Sequence, residues 1–158
     1  NAVELKYELE RRGATVYLTR YDDVKVSLEE RKNMAMALKP DLYISLHCDG
    51  NERKDVFGTS AFYYKPMSQA LAQNIYNEMI KVYSSYIYPS DYNKATEAQR
   101  GCRYHPFSVT RLEDCPSVLI ETGYVTNYEE CAILVKEETR KQIAVAIANG
   151  IENYINSK

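Results

Sequence analysis

No run of apolar residues in this sequence approaches the ~20 that a membrane-spanning helix requires. No signal peptide is visible, and the chain opens at Asn1, without a Met and already inside a helical pattern. That start reads as an excised or trimmed segment. Charge of one sign is not in excess. Lys and Arg number 20 against 22 Asp and Glu, and the net charge of −2 gives no global field to recruit nucleic acid or an anionic membrane. No basic stripe supports a nucleic-acid role. The four cysteines, Cys48, Cys102, Cys115 and Cys131, form no C-x-x-C pair. A zinc ribbon or thioredoxin-type motif is thereby disfavoured, and free thiols are expected. Histidine is scarce, with only His47 and His105, and tryptophan is absent. Tyrosine, by contrast, occurs 15 times. So many phenol rings suit either a surface that stacks on sugars and peptides or ordinary amphipathic packing.

What is present reads as one domain. A length of 158 residues, 45% hydrophobic and 27% charged, is enough for a buried core. Ala2, Leu5 and Leu9 share one face of an opening helix over residues 2–12, which Gly13 stops. Ala14–Thr19 is rich in strand formers and ends in the turn-forming Asp22-Asp23. Helix then strand is half of a βαβ unit, and the missing half is a strand before residue 1. Ser27 and Glu30 make a capping box for a helix that carries Leu28, Ala35 and Leu38 inward and closes before Pro40. A strand runs through Leu42–Asp49, a polar loop through 50–57 and a strand through Thr59–Tyr64. Leu71, Ile75, Met79 and Val82 mark a helix from about Ser68. Residues 84–103 lack periodicity and read as a long loop beside the site, and Phe107–Arg111 as a short strand or extended segment. Asn127 caps a short helix with Glu130 three residues on, and Ile143, Ile147, Ile151 and Ile155 mark a terminal helix. Strands alternating with helices predict a single three-layer α/β/α domain over residues 1–158, with a mostly parallel or mixed central sheet.

Two strand ends carry the chemistry. Leu42, Ile44 and Leu46 alternate with Tyr43, Ser45 and His47, so this strand delivers an imidazole with Asp49 close behind it. Far downstream, Ser117-Val118-Leu119-Ile120 ends in Glu121. Open α/β sheets do their chemistry at the carboxyl ends of strands, and if these two are neighbours His47 and Glu121 face one crevice. A carboxylate ending an apolar run is poorly solvated, which raises its proton affinity toward that of a general base at neutral pH. A buried salt bridge from Glu121 to Arg20 or Arg111 is the structural alternative.

These segments resemble the zinc-dependent N-acetylmuramoyl-L-alanine amidases often called amidase 3, over nearly the whole chain. Gly13–Arg20 is similar to the family's G-x-x-V-x-x-T-R segment, followed by Asp23, Leu28 and Arg31 at the expected spacing. Ser45-Leu46-His47-Cys48-Asp49 resembles S-[IL]-H-x-[ND], and Arg100-Gly101 with Val109-Thr110-Arg111 resembles R-G and V-x-R. Pro116–Asn127 resembles P-x-[VL]-L-[VI]-E-x-G-[FY]-[VIL]-[ST]-N. The resemblance implies hydrolysis of the amide between N-acetylmuramic acid and L-Ala of the peptide stem by a zinc-activated water. It further implies that His47 is the last zinc ligand and Glu121 the catalytic glutamate, which accepts the water proton and passes it to the leaving nitrogen. The family's other two ligands, a His and a Glu, fall upstream of Asn1. As written, the chain is therefore expected to bind zinc weakly or not at all, and to be inactive alone.

The resemblance also implies peptidoglycan as partner and a bacterial cell wall or extracellular location. Arg111, Arg103 and His105 are candidate substrate contacts, the arginines toward stem carboxylates. An uncovered strand edge where the first strand is missing invites dimerisation. Two other readings stand beside the enzyme. One is a non-catalytic peptidoglycan-binding or interaction module derived from such an amidase. The other is a cysteine hydrolase using Cys48 or Cys115.

Overall fold

Strand β4 (Ser117–Tyr124) is buried along its entire length, because an apolar run with neighbours on both edges and helices on both faces has nowhere to meet water. A computed structural model describes residues 1–157, and in it β4 joins β1 (Tyr43–Asp49), β2 (Thr59–Tyr63) and β3 (Gln99–Tyr104) in one four-stranded sheet of order β1-β4-β2-β3. β1 runs parallel to β4, β2 antiparallel to β4, and β3 parallel to β2. The mixed sheet agrees with the architecture expected from the sequence.

The strand period sorts side chains onto two faces. Ile44, Leu46, Ala61, Val118 and Ile120 join the main core with helices α1 (Ala2–Arg11), α3 (Pro66–Val82) and α6 (Glu137–Asn156). On the opposite face Tyr43 packs on Ala35 of α2 (Leu28–Leu38), with Leu112 and Cys115. Helices on both faces make three layers. α3 and α6 pack closely enough that a Cβ on Gly150 would sit 2.4 Å from the Ile75 Cα. Among the described residues no helix is long and apolar enough to cross a membrane.

Four local expectations are corrected. Residues 84–103 are largely regular: a π-helical turn over Tyr83–Ile87, α4 (Tyr92–Glu97) and then β3. Tyr83, Ile87, Tyr88, Ala95 and Ala98 are buried there, and no single period connects them, so the pattern was invisible to periodicity. Residues 108–110 form one 3₁₀ turn rather than a strand. In α2, which does carry the Ser27–Glu30 capping box, only Ala35 is buried; Leu28 and Leu38 are 58% and 50% exposed, because little lies beneath that helix.

The fourth concerns residues 14–19. They carry no helix or strand and join no ladder among the described residues. Lys6 Nζ donates to the Val16 carbonyl at 3.2 Å and Arg31 Nη1 to Thr19 Oγ1 at 2.5 Å, which hold the segment beside α1 and α2. Between this segment and the outer edge of β1 lies a groove of about 760 Å³, lined by both and by Leu5, Leu9, Ile151 and Ile155. With no strand across that gap, neither edge has a backbone partner to make a ladder.

Candidate active site

His47 and Glu121 are register partners across the parallel β1–β4 pair. Opposed residues of adjacent strands project from the same face about 4.8 Å apart, so imidazole and carboxyl share one end of the sheet. Ser60 of β2 is the antiparallel partner of Glu121 and continues that row. The strands differ in setting: β4 is central, whereas His47 stands on the edge strand, beside the groove that it helps to line.

Glu121 is 9% exposed, and its Oε2 has no hydrogen-bond partner. Burial, helped by the nearby Asp49 carboxylate, pushes its pKa up to about 7. The salt-bridge alternative fails on geometry: Arg20 pairs with Asp23 at 3.6 Å, and Arg111 Nε donates to the Pro106 carbonyl at 2.7 Å. An acid poised near neutral pH, with an unpartnered oxygen, is suited to taking a proton from water. Burial and the Arg31 charge hold the His47 imidazole below its usual pKa, in the neutral form that donates a lone pair to a metal. Its Nε2 lies 3.0 Å from Ser45 Oγ.

A polar scaffold, only part of it visible from sequence, fixes the end of β4. Thr59 Oγ1 donates to the Glu121 carbonyl at 2.7 Å, and Thr122 Oγ1 to the His47 carbonyl at 3.0 Å. Asn127 caps α5 (Tyr128–Leu134) by accepting the Glu130 N–H at 3.0 Å. The Glu130 side chain instead turns into the core, fully buried. It accepts from Gly58 N at 2.9 Å, Tyr83 Oη at 2.7 Å and Tyr124 N at 2.6 Å. Gly123, at φ +147°, sits so close that a Cβ would meet Leu134 Cδ1 at 2.5 Å. The Arg100 guanidinium lies 5.8 Å over the Tyr124 ring, beside Asp49 and the site. Sequence reasoning used Arg100 only as half of a motif and Glu130 only as a cap partner.

Arg103, His105 and Arg111 are not brought to Glu121. Arg103 is the β3 partner of Phe62, which opposes Leu119, and His105 N donates to the Tyr63 carbonyl. Arg111 stands over Tyr64, beyond the end of β2. His105 and Arg111 occupy the other end of the sheet, where β4 begins, while the Arg103 Nε folds back over Gly101, which shares a row with Ser60 and Glu121 two strands from the acid.

The cysteines are free thiols, as expected. Cys48 is exposed and its Sγ meets Thr122 Oγ1 at 3.3 Å, on the face away from His47. Cys115 is buried with Ala35 and Leu112, and burial pushes its thiol pKa up. Neither is activated as a nucleophile requires. Among the described residues no three His, Cys, Asp or Glu side chains converge, so these residues alone do not fit a catalytic zinc with its usual three protein ligands.

Comparison with known proteins gives a consistent picture. The family profile described as N-acetylmuramoyl-L-alanine amidase matches residues 2–153. The probable cell wall amidase LytH of Staphylococcus epidermidis is 31% identical over 156 residues, 99% of this chain and 48% of its own length. The chain thus spans about half the length of the curated relatives it matches. Among solved structures, the catalytic domain of the amidase CwlV from Bacillus (Paenibacillus) polymyxa var. colistinus superposes with TM-score 0.80 at 31% identity, covering 99% of this chain and 82% of that one. The amidase AmiC2 of Nostoc punctiforme gives 0.82 at 32% identity, covering 98% and 79%.

Proposed function

Since this chain belongs to the N-acetylmuramoyl-L-alanine amidase family, we propose that residues 1–158 are the catalytic domain of a bacterial peptidoglycan hydrolase acting at the cell wall or outside the cell. The bond broken is the amide between the lactyl group of N-acetylmuramic acid and L-Ala of the stem. The observation that carries this reading is Glu121, a buried acid with an unpartnered oxygen, in register with a neutral histidine.

The chemistry of the chain's own residues follows from their placement. Glu121 takes a proton from a water at the sheet's end. The water oxygen bonds to the amide carbon, and the carbon–nitrogen bond breaks as Glu121 returns the proton to the leaving nitrogen. The products are a free lactyl carboxylate and a stem with a free alanine amine. Arg103, His105 and Arg111 stand along the sheet from Glu121, and we assign them to the stem's distal carboxylates.

Zinc belongs to this proposal only together with ligands beyond His47. His47 is one ligand, and the described residues supply no set of three. A segment lying in the groove beside β1 would pass next to His47, where the other ligands are needed. Calorimetric titration of the 158-residue chain is expected to show no submicromolar zinc site; such a site, abolished by His47→Ala, would overturn this. The activity test is release of stems with free alanine amines from purified peptidoglycan, using the chain with any residues its gene encodes before Asn1. Glu121→Gln should lower that release at least ~10²-fold, the scale of a lost general base. Binding to peptidoglycan with no release from the unsubstituted protein would favour a non-catalytic module instead.

A further inference from the structure

Two glutamates stand at the same place in two helices and meet different fates. Glu30 is the third residue of α2 and folds back on its own cap, accepting the Ser27 N–H at 2.7 Å while exposed to water. Glu130 holds the equivalent place in α5, where Asn127 is the cap. The Asn127 N–H goes instead to the Tyr124 carbonyl, and the Glu130 side chain is fully buried. Taking a carboxylate out of water is costly, and a reciprocal bond at the surface would have capped α5 without that cost. Capping alone therefore does not account for the burial of Glu130.

The donors it collects do account for it. Oε1 accepts Gly58 N at 2.9 Å and Tyr83 Oη at 2.7 Å, and Oε2 accepts Tyr124 N at 2.6 Å. All three bear on the backbone around Glu121. Gly58 precedes Thr59, whose Oγ1 grips the Glu121 carbonyl at 2.7 Å. The Tyr83 hydroxyl also stands 3.2 Å from the carbonyl of Thr122, the residue after the acid. Tyr124 ends β4 and is the register partner of Asp49, across an irregularity that falls between His47 and Asp49. The stretch just past the two site residues thus lacks a regular ladder, and Glu130 supplies an acceptor there. The fit is close on the β2 side too. Gly58 has φ +108°, and a Cβ on it would stand 2.1 Å from the Ala98 carbonyl oxygen. Tyr83 opens the π-helical turn, a rare distortion that recurs at functional sites.

We propose that Glu130 is a positioning residue for hydrolysis: its carboxylate ties the end of β4 to the start of β2 and so sets where Glu121 stands against His47. The inference rests on the amidase reading for the reaction. It adds a residue that touches no reacting atom yet fixes where the acid meets its water. A misplacement of about 1 Å at a reacting group costs on the order of 10²-fold in rate.

The test compares Glu130→Gln with the parent, both carrying any residues the gene encodes before Asn1. Glutamine keeps the shape but replaces one acceptor oxygen with an NH₂ group facing N–H donors, so one side of the tie is lost while the core stays filled. In release of alanine amines from peptidoglycan, kcat should fall at least ~10-fold with KM within about twofold of the parent, because the substrate contacts are unchanged. Gly150→Ala, which strains the remote α3–α6 contact, controls for lost stability and should keep the parent kcat once corrected for the folded fraction. NMR of the 158-residue chain gives a readout independent of activity. In Glu130→Gln the Gly58 and Tyr124 amides should exchange faster and the backbone signals of residue 121 should shift, while those of Tyr43, at the far end of β1, stay in place. If Glu130→Gln does not fold, Tyr83→Phe, which removes a single donor, replaces it and should lower kcat severalfold. Unchanged kcat, an equal loss in Gly150→Ala, or unmoved residue 121 signals would overturn the proposal. A parent that releases no alanine amines would instead overturn the amidase reading, and the NMR comparison would still decide whether Glu130 positions residue 121.

Discussion

Glu121 pairs a high proton affinity with a fixed position, and the first of these has a measurable cost for the fold. Burial holds its folded-state pKa at about 7 against an ordinary 4.5, so the metal-free folded chain binds this proton more tightly than the unfolded chain. The associated stability is fully present below about pH 4.5 and is lost as pH rises through about 7. Glu121→Gln, which cannot ionise, should gain on the parent by roughly 2–3 kcal/mol between pH 5 and pH 8, with the gap opening across that interval. Urea unfolding of both proteins at several pH values measures it; a gap independent of pH would contradict the burial argument. At this scale the sequence spoke clearly about residues 47 and 121, since each ends a strand whose pattern is local. It was silent about Glu130. That side chain gathers donors from residues 58, 83 and 124, and contacts so far apart in the chain leave no local pattern.

Among the elements, strong periodicity was the reliable guide. Leu71, Ile75, Met79 and Val82 announced α3, and Ile143, Ile147 and Ile151 announced α6, because both helices bury a full face in the main core. Residues 84–103 were opaque because their short elements are pinned by irregularly spaced tyrosines and alanines. The strand expected at residues 14–19 was legible in composition but is not paired, and composition cannot report the presence of a neighbour. The tight α3–α6 crossing gives a direct test. A methyl group on residue 150 would drive into the Ile75 backbone, with Cα at 2.4 Å and N at 2.7 Å. Alanine regains about 1 kcal/mol of helix propensity, but overpacking costs up to about 3 kcal/mol when the obstacle is backbone that cannot rotate away. Gly150→Ala should therefore lower stability by about 2 kcal/mol in denaturant titration, and an increase would show that the helices separate freely.

For the molecule as a whole, the layer architecture was readable because strands and helices alternate and apolar residues cover both faces of the sheet. Which strand runs antiparallel was not, since the pairing of β2 with β4 joins segments far apart in the chain. The open flank predicts behaviour in solution. The outer edge of β1 and residues 14–19 face each other across the groove with no ladder between them, a template for pairing with another chain. Sedimentation should reveal concentration-dependent self-association, and a clean monomer at high concentration would show that the groove is closed or well solvated.

The unequal standing of β4 and β1 has one more implication. The acid is built into the central, fully buried strand, while the histidine stands on the edge strand beside an open groove. Under the proposed function, the proton-transferring half of the site is set by the fold itself, whereas whatever seats in the groove acts on the histidine half.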